Sequence, residues 1–119
     1  MRVLVVEPSQ AIRLALVARL RESGLEVVGE TANLAEAIDA IGRCAPDGIL
    51  LELQLPDQKP LDTVRTVRAF APRARIVVLS NATHYRLPAL ACGADHFLDK
   101  SKEFDVTTTA LLDVPMAAT

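Results

Sequence analysis

The sequence has few aromatic residues and only two cysteines. Aromatics make up 3% of its 119 residues and tryptophan is absent, so the core must be built from valine, leucine, isoleucine and alanine. Cys44 and Cys92 lie far apart, without a CxxC motif and without a histidine at ligand spacing. This pattern argues against a disulfide framework or a zinc site, and we expect two free thiols in a reducing compartment.

Concentrated charge and long apolar runs are also missing. The formal net charge is −2, and the one candidate basic patch, four arginines within residues 65–75, is interpreted as a solvated surface, so nucleic-acid binding is not expected. The N-terminal apolar run covers only residues 3–6 and ends at Glu7-Pro8, which is too short for a signal peptide. No run could cross a bilayer. We therefore expect a cytoplasmic protein that does not bind membranes.

Five short segments rich in valine, isoleucine and leucine recur along the chain. Four are nearly continuous rather than alternating, which is typical of strands buried on both faces of a parallel sheet. The segments are residues 3–6, 25–28, 49–51, 76–79 and, more weakly, 97–98.

Helical patterns with recognisable start signals follow the first three segments. Ser9 is predicted to cap the first helix, Asn33 and Glu36 form a capping box at the second, and Pro60 begins the third. The predicted core faces are Ile12, Ala15, Leu16 and Leu20 on the first helix, Leu34, Ile38 and Ile41 on the second, and Leu61, Val64 and Val67 on the third.

The last two helices are predicted to be short. Pro88 interrupts the fourth, near residues 84–92, and Gly93 should end it. Four consecutive β-branched residues, 106–109, weaken the fifth. We predict one domain over residues 1–113 and a loose tail over 114–119.

Strand–helix alternation repeated five times predicts an α/β three-layer sandwich with a five-stranded parallel sheet. Reactive groups of such sheets gather beyond the carboxyl ends of the strands. The polar residues at those ends are Glu7, Glu52, Ser80 with Asn81, and Asp99 with Lys100 and Ser101.

Four motifs at these strand ends resemble those of the receiver domains of bacterial two-component response regulators. They are VLVVEPSQAIR, PDGILLELQLPD, IVVLSN and GADHFLDK, in order and at matching separations. The resemblance implies a flavodoxin-like doubly wound (βα)5 fold with strand order 2-1-3-4-5, and a phosphorelay signalling domain that is not an enzyme.

The resemblance also assigns family roles to positions of this chain. Glu7 and Pro8 stand at the acidic pair and Glu52 at the phospho-acceptor aspartate, and the backbone carbonyl of Gln54 corresponds to a metal ligand. Ser80 and Phe97 stand at the hydroxyl and aromatic switch positions, and Lys100 at the phosphate-pocket lysine.

Two of these positions depart from the family pattern. In receivers Mg²⁺ bridges the acidic pair, the acceptor aspartate and the incoming phosphoryl group. Pro8 has no side-chain oxygen, and Glu52 carries its carboxylate about 1.5 Å further out than aspartate would. Mg²⁺ tolerates little deviation from octahedral geometry, which leaves Glu7, Glu52 and the Gln54 carbonyl as weak metal candidates. We therefore expect a degenerate site and no cofactor.

Several interpretations remain open at this stage. Glu52 either mimics the phosphorylated state by holding Ser80 and Phe97, or forms a structural ion pair with Lys100. One alternative is a Mg²⁺-dependent regulator that is still phosphorylated. Another, ranked last, is a flavodoxin-like cofactor binder, since EPSQAI after the first strand has no glycine.

The expected activity is protein–protein interaction by a stand-alone domain, because no output motif follows the fifth strand. The partner would be a histidine kinase, another regulator or a second copy in a homodimer. The candidate partner surface comprises His84, Tyr85, Arg86 and His96.

Overall fold

The computed structural model describes residues 1–113 and has the predicted alternating architecture. Five parallel strands form one sheet in the order β2-β1-β3-β4-β5. The strands are β1 Arg2–Val6, β2 Glu26–Thr31, β3 Gly48–Leu51, β4 Arg75–Ser80 and β5 His96–Asp99. The helices are α1 Gln10–Glu22, α2 Leu34–Cys44, α3 Pro60–Phe70, α4 Arg86–Ala91 and α5 Thr107–Leu112.

Helices cover both faces of the sheet, which confirms the three-layer flavodoxin-like fold. One core cluster joins β1, β3 and β4 to α2 and α3, and Ala89 of α4 lies in it. The other joins the opposite faces of the same strands to α1 and α5. The central strands β1, β3 and β4 are therefore almost wholly buried, as their continuous apolar sequences predict.

The predicted helix starts are confirmed at the atomic level. Ser9 accepts a hydrogen bond from the backbone N–H of Ile12, and Asn33 accepts one from that of Glu36. Pro60 is in the first turn of α3. Each cap satisfies a backbone donor that the helix itself leaves unpaired.

Two predictions about burial are wrong. Ala15 is exposed and Val17 is buried, so the core face of α1 is rotated relative to the predicted stripe and runs through Leu16, Val17 and Leu20. β2 is mostly only half-buried rather than buried on both faces. Its position at the edge of the sheet explains this, because it has a neighbouring strand on one side only.

The last two helices are short, as the sequence predicts. A 3₁₀ turn, Thr83–Tyr85, precedes α4, which contains Pro88 and extends over only 6 residues. Another 3₁₀ turn precedes the equally short α5. The predicted tail, 114–119, lies outside the described residues. No helix in residues 1–113 combines the length and apolarity that a membrane crossing requires.

Gly93 is required by both its backbone conformation and its surroundings. Its φ of +121° is unfavourable for residues with a side chain, and a Cβ there would lie 2.9 Å from Cγ of Arg68. We expect Gly93→Ala to lower the free energy of unfolding by about 1–3 kcal/mol in urea denaturation. Gly42→Ala, in open space within α2, should raise it by about 0.5–1 kcal/mol. Equal effects of the two substitutions would contradict this explanation.

Candidate functional site

The carboxyl ends of three strands bring Glu7, Glu52 and Lys100 together. Backbone hydrogen bonds continue the strand pairing by one residue beyond the carboxyl ends of β3 and β5. Glu52 donates to the carbonyl of Val6, and Lys100 donates to that of Ser80. The backbone positions of these charged residues are therefore fixed by the sheet itself.

The ammonium group of Lys100 lies between two glutamate carboxylates. Its Nζ is 2.6 Å from Oε1 of Glu7 and 2.5 Å from Oε1 of Glu52. The Glu7 and Glu52 side chains are buried, with exposed fractions of 5% and 7%, and the Lys100 side chain is nearly so, with 10% exposed. We call these three residues the Lys100 cluster. The single positive charge of Lys100 is therefore paired with the two buried negative charges of Glu7 and Glu52.

The remaining carboxylate oxygens of the cluster are also hydrogen-bonded. Oε2 of Glu7 accepts from the backbone N–H of Ser9 at 2.8 Å. Oε2 of Glu52 accepts from the backbone N–H of Gln54 at 3.1 Å. Every carboxylate oxygen therefore has a partner, as buried charges require.

The protonation of Lys100 follows from this geometry. Burial alone would favour the neutral amine, but hydrogen bonds and charge attraction from Glu52 and Glu7 outweigh it, so the pKa of Lys100 is raised above its usual value. The lysine is therefore a fixed cation at neutral pH.

The Mg²⁺ ion that the family resemblance implies does not fit this arrangement. Pro8 contributes no side-chain oxygen. Oε1 of Glu7 and Oε1 of Glu52 both accept hydrogen bonds from Lys100. Residues 1–113 contain no group of three or more His, Cys, Asp or Glu side chains that could hold a metal ion. Of the candidate ligands, only the Gln54 carbonyl is not accounted for by a bond to Lys100.

The two switch positions, Ser80 and Phe97, are buried. Ser80 is fully buried, and its Oγ accepts from the backbone N–H of Ala82 at 3.2 Å. Within the described residues, Glu52 makes no hydrogen bond to Ser80. Phe97 is 3% exposed and belongs to the core cluster that packs against α2 and α3. Within residues 1–113, Glu52 thus has a hydrogen bond with Lys100 but none with the hydroxyl of Ser80.

Arg86 has an internal role that its sequence position did not suggest. Its Nη1 donates to the carbonyl of Phe97 at 2.6 Å, and its guanidinium lies 5.2 Å from the centre of the Phe97 ring. Its Nη2 pairs with Glu103, whose carboxylate accepts from the backbone N–H of Asp99. The hydrogen bond from the Asp99 amide, and after it the one from Arg86, lowers the pKa of Glu103. Arg86 and Glu103 thereby clamp β5 just before Lys100.

The other residues of the predicted partner surface differ in their exposure and contacts. The rings of His84 and Tyr85 are 4.4 Å apart; His84 is exposed, whereas Tyr85 packs partly against the core. His96 lies on β5, with Nε2 at 3.1 Å from the carboxylate of Asp113. Of the four, His84 is the residue most open to a partner.

Asp57 has a function that no motif indicated. It lies in the loop after β3, and its carboxylate accepts from the backbone N–H groups of Leu34 and Ala35 in the first turn of α2. These bonds, led by that of Leu34, lower the pKa of Asp57. The loop that carries Gln54 is thus attached to a neighbouring helix.

Replacing Asp57 with alanine should therefore lower the free energy of unfolding by about 1 kcal/mol, as loss of a helix cap does. The lowered pKa means that this stabilisation is present above the unfolded value near 4 and is lost as the pH falls through the folded value. Urea denaturation of both proteins at pH 7 and pH 3 should give a difference at pH 7 that shrinks at pH 3. A pH-independent difference would contradict the capping role.

Comparison with known proteins identifies the family. The Response regulator receiver domain family matches residues 3–112. The chemotaxis protein CheY of Thermotoga maritima is 28% identical over 101 residues, covering 83% of this chain and 84% of that protein. The receiver domain of the putative response regulator NarL from Mycobacterium tuberculosis superposes with a TM-score of 0.83 at 30% identity, covering 94% of this chain and 93% of that one.

Some relatives contain a similar segment within a longer protein. A protein-glutamate methylesterase/protein-glutamine glutaminase of Archaeoglobus fulgidus is 34% identical over 104 residues, which are 84% of this chain but only 30% of that enzyme. The similarity thus covers less than a third of that protein. With its sheet order, its strand-end motifs and the match over residues 3–112, this chain belongs to the receiver domain family of two-component response regulators.

Proposed function

We propose that this receiver domain signals by binding a protein partner and does not accept a phosphoryl group. The observation that carries the proposal is the double pairing of Lys100 with Glu7 and Glu52. The charge that would attract Mg²⁺ to the strand ends is already partly neutralised within the fold, and no metal ligand comes from Pro8.

The chemistry of phosphoryl transfer supports the same conclusion. It depends almost entirely on positioning and on neutralising charge. The carboxylate of Glu52 is held by Lys100 on one oxygen and by the Gln54 amide on the other. A nucleophilic oxygen held in this way must break a charge-assisted hydrogen bond before it can attack.

Between the two interpretations of Glu52, the geometry favours a structural ion pair over a phosphate mimic. A mimic would need contact with the hydroxyl of Ser80, whereas Ser80 bonds to the Ala82 amide. We expect Glu52→Gln to leave the amide resonances of Ser80 and Phe97 in place, since these residues are held by other contacts. Large shifts at both would favour the mimic.

We propose that the partner binds around α4. The partner would be a histidine kinase, another regulator or a second copy of the chain. Leu87 in α4 is 75% exposed and His84 in the preceding turn is also exposed. Arg86 and His96, by contrast, are engaged with Phe97 and Asp113. The proposed contact surface is therefore centred on His84 and Leu87.

The proposal is tested by incubating the wild-type chain with acetyl phosphate and Mg²⁺ and measuring its intact mass. We expect an unmodified mass under conditions in which an ordinary receiver with aspartate at the acceptor position is phosphorylated. A phosphoryl adduct within residues 1–113 would overturn the proposal and favour the Mg²⁺-dependent alternative.

A further inference from the structure

The four arginines within residues 65–75 fall into two pairs with different surroundings. Arg65 and Arg68 each form an ion pair with a nearby aspartate. Arg73 is exposed and Arg75 is half-exposed, and neither side chain forms an ion pair or a hydrogen bond within the described part of the chain. Two guanidinium groups of a protein with a net charge of −2 therefore have no counter-charge there.

Both of these arginines lie at the amino-terminal edge of the sheet, whereas the Lys100 cluster lies at the carboxyl-terminal edge. Arg75 is the first residue of β4, and Arg73 lies in the turn between α3 and β4. The two side chains line an open depression of about 430 Å³. A second depression, of about 220 Å³, lies beside the ends of α2 and α3, and Pro72, Arg73 and Ala74 border both.

The second depression is apolar and carries an exposed aromatic ring. Its walls include Ile41, Pro46, Phe70 and Pro72. Phe70 is 58% exposed, and every other phenylalanine or tyrosine in the described part of the chain is buried or half-buried. Exposed aromatic rings beside apolar depressions are typical of the centres of protein–protein interfaces. We call this depression, together with its arginine rim, the Phe70 groove.

Internal arginines hold both walls of the Phe70 groove in place. Nη1 of Arg2 donates to the carbonyl of Ala45 at 3.0 Å, where α2 ends. Nη1 of Arg68 donates to the carbonyl of Ala74 at 2.7 Å, just before β4. The turns on the two sides are fixed before any ligand arrives, so binding costs little ordering of the chain.

We infer that the Phe70 groove binds an acidic segment of a partner protein, in which an apolar side chain is flanked by aspartate or glutamate. The apolar side chain fills the depression beside Phe70, and the flanking carboxylates pair with Arg73 and Arg75. This surface is separate from the one around α4, and the inference goes beyond the proposed function and does not rest on it.

The charge and the apolar walls of the groove favour an acidic peptide over a nucleic acid. A guanidinium group binds a carboxylate through two parallel hydrogen bonds. Nucleic-acid binding, by contrast, depends on many phosphate contacts along a clustered basic face. The groove has two arginines without internal partners, next to walls of isoleucine, alanine, proline and phenylalanine. An apolar side chain with neighbouring carboxylates matches both features.

The inference is tested with a capped pentapeptide, a central leucine flanked by glutamates, titrated into the ¹⁵N-labelled wild-type chain. The titration extends to about 5 mM, since so short a ligand is expected to bind with a Kd of about 1 mM. The amide resonances of Ala45, Ala71 and Ala74 report on the groove, and those of Ser80 and Lys100 report on the opposite edge. One control peptide has alanine in place of leucine, and another has lysines in place of the glutamates.

We expect the groove resonances to shift and those of the opposite edge to keep their positions. Each control peptide should bind at least about 5-fold more weakly. Arg73→Gln combined with Arg75→Gln should weaken binding of the glutamate peptide about 5-fold, and so should Phe70→Ala. The matched control, Arg21→Gln combined with Arg65→Gln, removes the same charge from exposed positions outside the groove and should bind like wild type.

Several results would overturn the inference. They are unshifted groove resonances at the highest peptide concentration, equal binding of the glutamate and lysine peptides, and a loss of binding in the control variant as large as in the groove variant. A thymidine oligonucleotide that shifts the groove resonances at lower concentrations would show that the site selects phosphates. Groove resonances that move with protein concentration alone would show that a second copy of the chain occupies it. If Phe70→Ala does not fold, the arginine variants decide the matter.

Discussion

Lys100→Met should lower the free energy of unfolding by about 3–5 kcal/mol, a large share of the stability of an ordinary domain. The reason is that methionine leaves Glu7 and Glu52, both buried, without their shared counter-charge. Urea denaturation at pH 7 measures the effect. Lys102→Met, at an exposed position, should change stability by no more than about 0.5 kcal/mol.

The loss should be recovered when the carboxylates are neutralised together with the lysine. The triple variant Glu7→Gln, Glu52→Gln, Lys100→Met keeps amide oxygens that can accept from the Ser9 and Gln54 N–H groups. Replacing all members of a buried ionic group is often nearly neutral, whereas removing one is costly. A triple variant as unstable as Lys100→Met would show that packing, not charge, dominates at this position.

The free energy of unfolding that Lys100 contributes should depend on pH with a definite sign. Because the pKa of Lys100 is raised on folding by Glu52 and Glu7, its stabilisation is complete below the unfolded value of about 10.4 and is lost as the pH rises through the folded value. Wild type should therefore lose stability in strongly alkaline solution, and Lys100→Met should not show that part of the loss.

The second large effect is expected on the rate of phosphorylation at position 52. The double substitution Pro8→Asp with Glu52→Asp supplies the missing oxygen ligand and shortens the acceptor side chain. We expect the double variant to be phosphorylated by acetyl phosphate and Mg²⁺ at least about 100-fold faster than wild type, since an error of about 1 Å in positioning costs that much. Intact-mass time courses provide the rates.

The two single variants serve as controls for the double variant. Pro8→Asp retains the long Glu52 side chain, and Glu52→Asp lacks the oxygen ligand at position 8. Each should gain less than the double variant. If the double variant remains unmodified although folded, the degeneracy of the site lies elsewhere than in these two positions.

The fold was predictable because its signals are local. Continuous apolar runs indicated the central strands, and Ser9, Asn33 and Pro60 indicated where helices begin. The errors arose where burial depends on neighbours in space. The face of α1 that meets the sheet passes through Val17 rather than Ala15, and β2 is partly open because no strand covers its outer edge.

The site was predictable only in part. The topology of a parallel sheet brings Glu7, Glu52 and Lys100 to one edge, and the sequence suggested the Glu52–Lys100 pair. That Glu7 shares the same ammonium depends on side-chain conformation, which spacing does not reveal. The Arg86 clamp joins α4 to β5, and the Asp57 cap joins the loop after β3 to α2, so neither leaves a short-range signal in the sequence.

The most direct test of the account uses beryllofluoride, a non-covalent analogue of a phosphoryl group, with Mg²⁺ and ¹⁵N-labelled wild-type chain. The central claim is that the Lys100 cluster occupies the place where metal and phosphoryl group would bind. We predict that the amide resonances of Ser80, Phe97 and Lys100 keep their positions when beryllofluoride and Mg²⁺ are added. Concerted shifts of all three, absent with either reagent alone, would contradict the account.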